Sequence, residues 1–181
     1  KIKYLEFKGS YDPYSTQKTQ DIRLEMFSDS DFASDPRMWR SITGSACYLN
    51  GCLISWPSGV QPSIATSTTE AELFASSQAP KQLKKMEHLV KSLILPEKFE
   101  FKNDRLFRLD NSVVARLAES PEITPGLKHL HVRWFYLREL AKNKEVEVEY
   151  VESAKNCADC LTKALERSKC EHWMDELGMV E

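Results

Sequence analysis

The sequence predicts a mixed α/β domain built around one sheet. Three closely spaced strand patterns come first, a long helical pattern follows, and two further strand patterns then alternate with helices. This order is typical of an antiparallel unit that is joined to parallel strands by helical crossovers. With 181 residues, of which 41% are hydrophobic, the chain can bury one sizeable core, so we expect a single domain.

The first three strands are predicted from alternation and turn residues. Residues 21–29, DIRLEMFSD, alternate apolar and polar side chains. Residues 41–58 contain two apolar runs around Asn50-Gly51, which is among the strongest short hairpin signals. The stretch before Ser67 leaves room for a further short strand.

Helices and strands alternate along the rest of the chain. A helical pattern runs from Thr68 to about Leu95, although Pro80 is expected to kink or divide it because proline lacks a backbone N–H. Two later strands, each reached across a helix, can lie parallel to the first and bring several strand ends to one edge of the sheet. We expect those strands at 105–110 and 145–152, and helices at 111–120, 126–144, 156–166 and 168–177.

Charge and hydropathy limit the possible partners. The formal net charge is -2 and the pI is about 6.2, so any nucleic-acid contact must use a local basic patch rather than an overall positive field. The sequence has no apolar stretch of membrane-spanning length and no secretory signal, so we expect a soluble, intracellular protein with no membrane partner. The start at Lys1 indicates a fragment, with residues 1–20 as a linker or the tail of an upstream segment and the domain at 21–181.

Five cysteines at irregular spacing do not resemble a disulfide framework, which favours a reducing compartment. Cys157 and Cys160 have the two-residue gap of a structural zinc site, which Cys170 and His172 could complete. The alternative is a buried helical stripe, because Cys157, Cys160 and Leu161 fall at i, i+3 and i+4. We favour the buried stripe.

The stretch STTEAEL, residues 67–73, places two glutamates on different sides of the helix that it begins. Two positions turn a helix by about 200°, so Glu70 and Glu72 cannot face the same way. Ser67 and Glu70 fit a capping box, in which the serine hydroxyl accepts from the N3 amide and the glutamate reaches back to the cap amide. Glu72 has no such role, so it is either a solvated surface residue or a functional acid.

Three more carboxylates follow predicted strands. Asp29 ends the first strand, Asp110 ends the fourth, and Asp159 follows the fifth. Each alone fits a turn, a cap or a helix N-terminus. In the parallel arrangement all three meet Glu72 at one edge, where clustered carboxylates raise one another's pKa or bind cations. Oxygen ligands favour Mg²⁺ or Mn²⁺ over zinc.

Five segments resemble, in order and spacing, the ribonuclease H domain at the C-terminal end of copia-type (Ty1/copia) LTR-retrotransposon polyproteins. They are FSDSDFASD, SITGSACYLNGCLISWPSGVQPSIATSTTEAEL, RLDNSVVA, KHLHVRWFYLRE and VEYVESAKNCADCLTKAL. The resemblance covers about residues 21–180, and the opening KIKYLEFKG is similar to the end of the family's upstream reverse-transcriptase segment. It implies a ribonuclease H-like fold, with a five-stranded mixed sheet in the order 3-2-1-4-5 flanked by helices.

The resemblance also implies hydrolysis of the RNA strand of RNA/DNA hybrids during reverse transcription. The family's four acids match Asp29, the second glutamate Glu72, Asp110 and Asp159, and its cofactor is two Mg²⁺ ions, for which Mn²⁺ can substitute. The implied partners are the hybrid and the reverse-transcriptase domain of the same polyprotein, in a cytoplasmic virus-like particle. The departures from the family pattern are Pro80 and the TKAL segment, and the oligomeric state is not implied.

Contacts to a hybrid require small polar groups for 2′-hydroxyls and positive charge for phosphates. Candidates for the hydroxyl contacts are Ser76, Ser77 and Asn111. Candidates for the phosphate contacts are two basic patches, one with Lys81, Lys84 and Lys85 and one with Lys128, His129 and Arg133. Such side chains also fit the solvated face of an amphipathic helix.

Two alternatives stay open on the sequence. A catalytically silent or domesticated ribonuclease H-fold module, acting in nucleic-acid or protein binding and nuclear if domesticated, fits the near-neutral charge and Pro80. The intact acids favour an active enzyme instead. A strand transferase of the integrase type shares strand-end acids, but it places its last acid on a late helix, whereas Glu72 comes early.

Overall fold

The computed structural model describes residues 4–5, 20–93, 99–119 and 131–180. The strands are β1 (Tyr4–Leu5), β2 (Gln20–Asp31), β3 (Ile42–Leu49), β4 (Cys52–Ser55), β5 (Ser58–Val60), β6 (Phe99–Leu109), β7 (Glu147–Tyr150) and β8 (Met179–Val180). The α-helices are α1 (Thr68–Leu93), α2 (Ser112–Glu119), α3 (His131–Lys142) and α4 (Arg167–Glu176), and two 3₁₀ segments span Ser153–Lys155 and Cys157–Leu161. Most of the predicted upstream segment at 1–20 lies outside the described residues, so the domain boundary stays a prediction.

The main sheet has the strand order β4-β3-β2-β6-β7, with the short strand β5 also paired to β3. The hairpin strands β3 and β4 are antiparallel to their neighbours, whereas β6 is parallel to both β2 and β7. Without β5, the strands stand in the predicted order 3-2-1-4-5. β5 is the further short strand that the sequence left room for before Ser67, and it makes the sheet six-stranded. A separate two-stranded sheet pairs β1 with β8.

The two central strands are longer than predicted. β2 has 12 residues and β6 has 11, because the two pair in parallel from Gln20↔Phe99 to Ser28↔Leu109. The segment 99–104 alternates Phe99, Glu100, Phe101 and Lys102 before Asn103 and Asp104, but it was not predicted as part of a strand. Backbone pairing of Gln20–Ile22 with Phe99–Phe101 extends β6 in that direction, in agreement with this alternation.

Both faces of the sheet are covered. On one face, helices α1, α2 and α3 bury a core that includes Met26, Leu73, Phe107 and Trp134. The opposite face is covered by the second 3₁₀ segment and α4, in a smaller core that includes Tyr48 and Trp173. Helix α1 from the first face and the second 3₁₀ segment from the opposite face both pack against β2.

Of the two outcomes predicted for Pro80, a kink or a division of the helix, the division does not occur, because α1 continues through Pro80. The missing N–H removes the helical bond to the Ser76 carbonyl, which disfavours the position. Burial outweighs that loss, because Pro80 and its helical neighbours Ala79 and Leu83 are all fully buried. None of the helices within the described ranges combines the length and the apolar character that crossing a bilayer requires.

The helix predicted at 156–166 is not an α-helix. Asn156 has an extended backbone and its side chain accepts from Ala158 N, which begins a 3₁₀ segment of only five residues. Its amide nitrogen also donates to the Ser28 carbonyl at 2.9 Å, so the segment is fixed against β2. Gly44 permits this approach, since a Cβ at that position would lie 2.8 Å from Leu161 Cβ. Tertiary docking therefore replaces the regular helix that the spacing predicted.

The cysteine interpretation is correct in part. Cys157, the first residue of the second 3₁₀ segment, is buried, and burial raises the pKa of its thiol to about 12. Cys170 and His172 lie exposed on α4. Among the described residues the cysteines and this histidine do not come together as a metal-ligand group, so the zinc alternative has no support.

Candidate active site

Three of the four predicted acids meet at one edge of the sheet. Asp29 and Asp110 each come one residue after the last β2–β6 pair, Ser28↔Leu109, so the parallel register places them side by side. Glu72 reaches the same point from the first turns of α1, which packs on β2. Carboxylate oxygens of these three residues lie within 4.8 Å of one another.

Two of the three acids are buried, Asp110 is half-buried, and their negative charges repel one another. Asp29 is 1% exposed and Glu72 is 8% exposed. Burial, followed by the negative charge of Asp29, raises the pKa of Glu72 to about 8. Burial also raises the pKa of Asp29, although Thr162 and Lys163 partly offset the effect. Metal-free, the cluster therefore favours retention of a proton near neutral pH.

The fourth acid, Asp159, is linked to Asp29 by the Lys163 ammonium, which lies near both carboxylates. Asp159 lies in the 3₁₀ segment and outside the three-acid group. The Lys163 ammonium forms an ion pair with Asp159 Oδ1 and stands 3.5 Å from Asp29 Oδ2. The Thr162 hydroxyl donates to the same Asp29 oxygen. Thr162 and Lys163 were not predicted as site residues, although the i, i+4 spacing of Asp159 and Lys163 could have indicated the pair.

The residues of this site fit a divalent cation. Glu72 Oε2 is buried and has no hydrogen-bond partner among the described residues, which is costly for a carboxylate unless a proton or a cation lies beside it. Asp29 and Asp110 supply further oxygen donors within 4.8 Å of Glu72 and of each other, close enough to share one cation. Carboxylate-only donor sets suit hard cations such as Mg²⁺ and Mn²⁺.

The two glutamates of STTEAEL differ as predicted. Glu70 N donates to Ser67 Oγ at 3.1 Å, which is one half of the capping box. The Glu70 carboxylate accepts from Thr66 N at 2.7 Å, one residue further back than a capping box prescribes. Glu70 thus stabilises the start of α1, while Glu72 faces the acid cluster.

Two of the three predicted 2′-hydroxyl contacts, Ser76 and Ser77, need correction, whereas that of Asn111 stays a prediction. Ser76 and Ser77 are 0% and 2% exposed, so neither can contact a nucleic acid on the surface. Both lie on the buried side of α1, and the Ser77 hydroxyl donates to the Phe74 carbonyl. Asn111 Oδ1 accepts from Val113 N and Val114 N, which makes this residue the cap of α2. The helix period alone did not show that both serines face the protein interior.

The predicted basic residues divide between two surfaces. Lys81 and Lys85 line a groove of about 570 Å³ between α1 and the β3–β5 edge. Phe74 lines the same groove, and the Arg133 guanidinium lies 4.5 Å from the centre of its ring. Lys84 instead forms an ion pair with Glu145 outside the groove. Lys128 and His129 lie outside the described residues.

Comparison of the sequence with known proteins places the chain in a family. No family model matches it. It is 30% identical over 156 residues to the Retrovirus-related Pol polyprotein from transposon TNT 1-94 of Nicotiana tabacum, an alignment that covers 86% of this chain and 11% of that protein. It is also 30% identical over 145 residues to the Transposon Ty1-NL2 Gag-Pol polyprotein of Saccharomyces cerevisiae, covering 80% of this chain and 8% of that protein. The chain thus spans about a tenth of the length of these relatives.

Solved structures show the fold. LC11-RNase H1, isolated from compost by a metagenomic approach, superposes with a TM-score of 0.58 at 15% identity, over 77% of this chain and 92% of that one. RNase H1 from Halobacterium salinarum superposes with a TM-score of 0.54 at 15% identity, over 79% of this chain and 95% of that one. The fold is therefore the ribonuclease H fold. The homologues of the chain are Pol polyproteins of Ty1/copia-type retrotransposons, as its motifs predicted.

Proposed function

We propose that the chain is a metal-dependent endoribonuclease that hydrolyses the RNA strand of RNA/DNA hybrids during reverse transcription of a retrotransposon. The observation that carries the proposal is the group formed by buried Asp29 and Glu72 with half-buried Asp110, in which Glu72 Oε2 is unpartnered, at the strand edge of a ribonuclease H fold. Membership of the Pol family supports it. LC11-RNase H1, which shares the fold with a TM-score of 0.51 in this form, has been solved in complex with an RNA/DNA hybrid.

The proposed cofactor is two Mg²⁺ ions, for which Mn²⁺ substitutes, held by Asp29, Glu72, Asp110 and Asp159. When bound, such ions would lower the pKa of a water so that it ionises and can attack phosphorus, and would supply positive charge beside the leaving 3′ oxygen. The carboxylates fix the cation positions and must be deprotonated to do so. Glu72, with its pKa raised to about 8, is the residue that loses its proton when a cation enters.

The hybrid is proposed to cross the acid edge and to be held by positive charge on the α1 side. Lys81, Lys85 and Arg133 lie in or beside the groove that leads away from Phe74, two residues after Glu72. Phosphate contacts of this kind position a duplex without reading its sequence. The reverse-transcriptase domain of the same polyprotein is the proposed partner, and the cytoplasmic virus-like particle is the proposed location.

The alternatives are less well supported. A silent or domesticated module does not require four acids at one edge, where their mutual repulsion destabilises the metal-free protein. An integrase-type strand transferase does not account for the acid on the first long helix, the position that Glu72 holds. Hydrolysis of a hybrid is the reaction that uses all four acids.

The direct test is cleavage of a hybrid with labelled RNA, with Mg²⁺, Mn²⁺ or EDTA, and with the chain in excess so that weak binding does not hide turnover. We expect cleavage of the RNA strand with either metal and none in EDTA. Duplex DNA and duplex RNA of the same sequence are the controls. Cleavage that persists in EDTA, or equal cleavage of duplex DNA, would contradict the proposal.

A further inference from the structure

We propose that the Lys163 ammonium is an internal cation that holds one of the two cation positions at the acid edge. The folded chain then binds one divalent ion readily at Asp29, Glu72 and Asp110, and admits a second only when Lys163 leaves Asp159. This inference rests on the proposed metal dependence and names the residue that controls it.

The geometry divides the four acids into two groups that share Asp29. On one side, Asp29 lies within 4.8 Å of Glu72 and Asp110. On the other side, the Lys163 ammonium pairs with Asp159 and stands 3.5 Å from Asp29 Oδ2. A cation between Asp29 and Asp159 is what a second metal position requires, and the ammonium already lies there.

The two sides differ in what they still need. On the first, Glu72 Oε2 is buried without a partner. On the second, the Asp29 oxygen accepts from Thr162 and faces Lys163, and Asp159 is paired. An incoming divalent ion therefore meets unsatisfied oxygens on the Glu72 side and satisfied oxygens on the Asp159 side.

Charge makes the lysine and the second ion alternatives. Four ionised carboxylates and one ammonium have a net charge of -3. One divalent ion reduces this net charge to -1. A second divalent ion with the lysine still in place would make it +1, whereas without the lysine it is zero. Lys163 can leave without backbone movement, because its side chain is 37% exposed on a flexible stem. Asp159 stays in position meanwhile, since Asn156 fixes the 3₁₀ segment to the Ser28 carbonyl.

The test counts bound ions directly. Free Mn²⁺ is measured by electron paramagnetic resonance during titration of the metal-free chain, for wild type, Lys163→Met and Lys163→Gln. We expect wild type to bind one ion tightly and a second weakly, and both variants to bind the second ion about fivefold more tightly with the first unchanged. Lys155→Met is the matched control, because Lys155 is 70% exposed and pairs only with Glu152 nearby.

Two further variants separate the positions. Asp159→Asn should lose the weak ion and keep the tight one, whereas Asp110→Asn should weaken the tight one. Thermal melts in EDTA identify any variant that fails to fold, and the glutamine and methionine variants of Lys163 substitute for each other in that case. Equal binding curves for wild type and both Lys163 variants, or loss of the tight ion in Asp159→Asn, would overturn the inference.

Failure of this inference and failure of the proposed function give different experimental results. Cleavage of a hybrid by wild type with unchanged ion binding in the Lys163 variants removes the inference and leaves the function. The predicted ion binding without any cleavage of a hybrid does the reverse.

Discussion

Glu72 and Glu87 lie on the same helix and are buried to the same degree, yet their surroundings have opposite charge. Glu72 is 8% exposed and faces Asp29 and Asp110. Glu87 is 7% exposed and accepts from Arg105 Nη2 at 2.6 Å and from Lys91 Nζ at 2.5 Å. One helix thus carries two buried glutamates about four turns apart. The Glu87 carboxylate accepts from two basic side chains, whereas Glu72 Oε2 has no hydrogen-bond partner among the described residues.

The pKa values of the two residues express that difference. Burial acts to raise the pKa of Glu87, but hydrogen bonds from Arg105 and Lys91 outweigh it and hold the pKa below its ordinary value. At Glu72, burial and the charge of Asp29 act together and raise the pKa to about 8. Burial alone therefore does not distinguish a structural acid from a functional one. The sign of the neighbouring charges does.

The largest expected effect is on cleavage. Glu72→Gln should reduce hybrid cleavage by more than about 100-fold, because a carboxylate that holds the cation is lost. Glu87→Gln should retain most of the cleavage, and should lower the free energy of unfolding by about 1 to 2 kcal/mol because Arg105 loses its partner in a solvent-screened pair. Cleavage assays and urea unfolding of both variants make the measurement.

Glu70→Gln is the control for that pair, since it lies two residues from Glu72 and only caps the helix. It should retain cleavage and lose up to about 1 kcal/mol of stability. Full cleavage by Glu72→Gln, or its loss in Glu70→Gln, would reverse the assignment of the two glutamates.

The next effect is on the pH dependence of stability without metal. Glu72 has a folded pKa above its unfolded value, so its protonated form stabilises the fold below the unfolded pKa of about 4.5, and this contribution is lost as the pH rises toward about 8. Glu87 has the opposite sign, and its contribution is lost as the pH falls through its lowered folded pKa. Thermal melts in EDTA from pH 2 to 9 should therefore show a Tm that falls on the alkaline side, and they also cover the acid range below pH 4.5 in which the Glu87 contribution is lost.

The two glutamine variants sharpen this measurement. Glu72→Gln should flatten the alkaline side and raise Tm at pH 8 by about 3 °C or more, while Glu87→Gln should flatten the acid side only. Mg²⁺ should raise the Tm of wild type at pH 8 and change that of Glu72→Gln much less. An alkaline slope that is identical in wild type and Glu72→Gln would mean that other groups control it.

The smallest expected effect is on the affinity for a hybrid, and it distinguishes the lysines on the Glu72 side of α1 from the lysine beside Glu87. Lys81 and Lys85 line the groove on the Glu72 side, whereas Lys84 belongs with Glu145 beside Glu87. The double variant Lys81→Gln, Lys85→Gln should weaken hybrid binding several-fold and lower the slope of log affinity against log salt by about 1 to 2. Lys84→Gln should leave that slope unchanged. Fluorescence anisotropy of a labelled hybrid across a salt series measures both, and equal slopes in the two variants would remove the groove as the phosphate path.

Much of the fold could be predicted because its signals are local. Alternation indicated β2 and the hairpin, helical spacing indicated α1, and the order of these elements limited the topology. The acids could be predicted because parallel strands bring their ends to one edge. The split between Glu70 and Glu72 required only the helix period and the capping residue Ser67.

The remaining features depend on which group lies opposite a side chain. The segment after Asn156 has helical spacing, but its docking on Ser28 and Gly44 makes it a 3₁₀ segment. Ser76 has the polarity of a surface residue, but the packing of α1 buries it completely.

By itself, the sequence predicted the order of the main strands and of the first helix, the family resemblance, and the three acids that the strand ends and α1 bring together, Asp29, Glu72 and Asp110. Only the tertiary structure decided that Glu72 is buried with its Oε2 unpartnered, that Glu87 is paired with Arg105, and that Lys163 lies between Asp159 and Asp29. The physical reason is that periodicity fixes the direction of a side chain from its own backbone. Its charge state and its partners depend on residues from other elements, here up to 133 positions apart, which only the packed chain brings together.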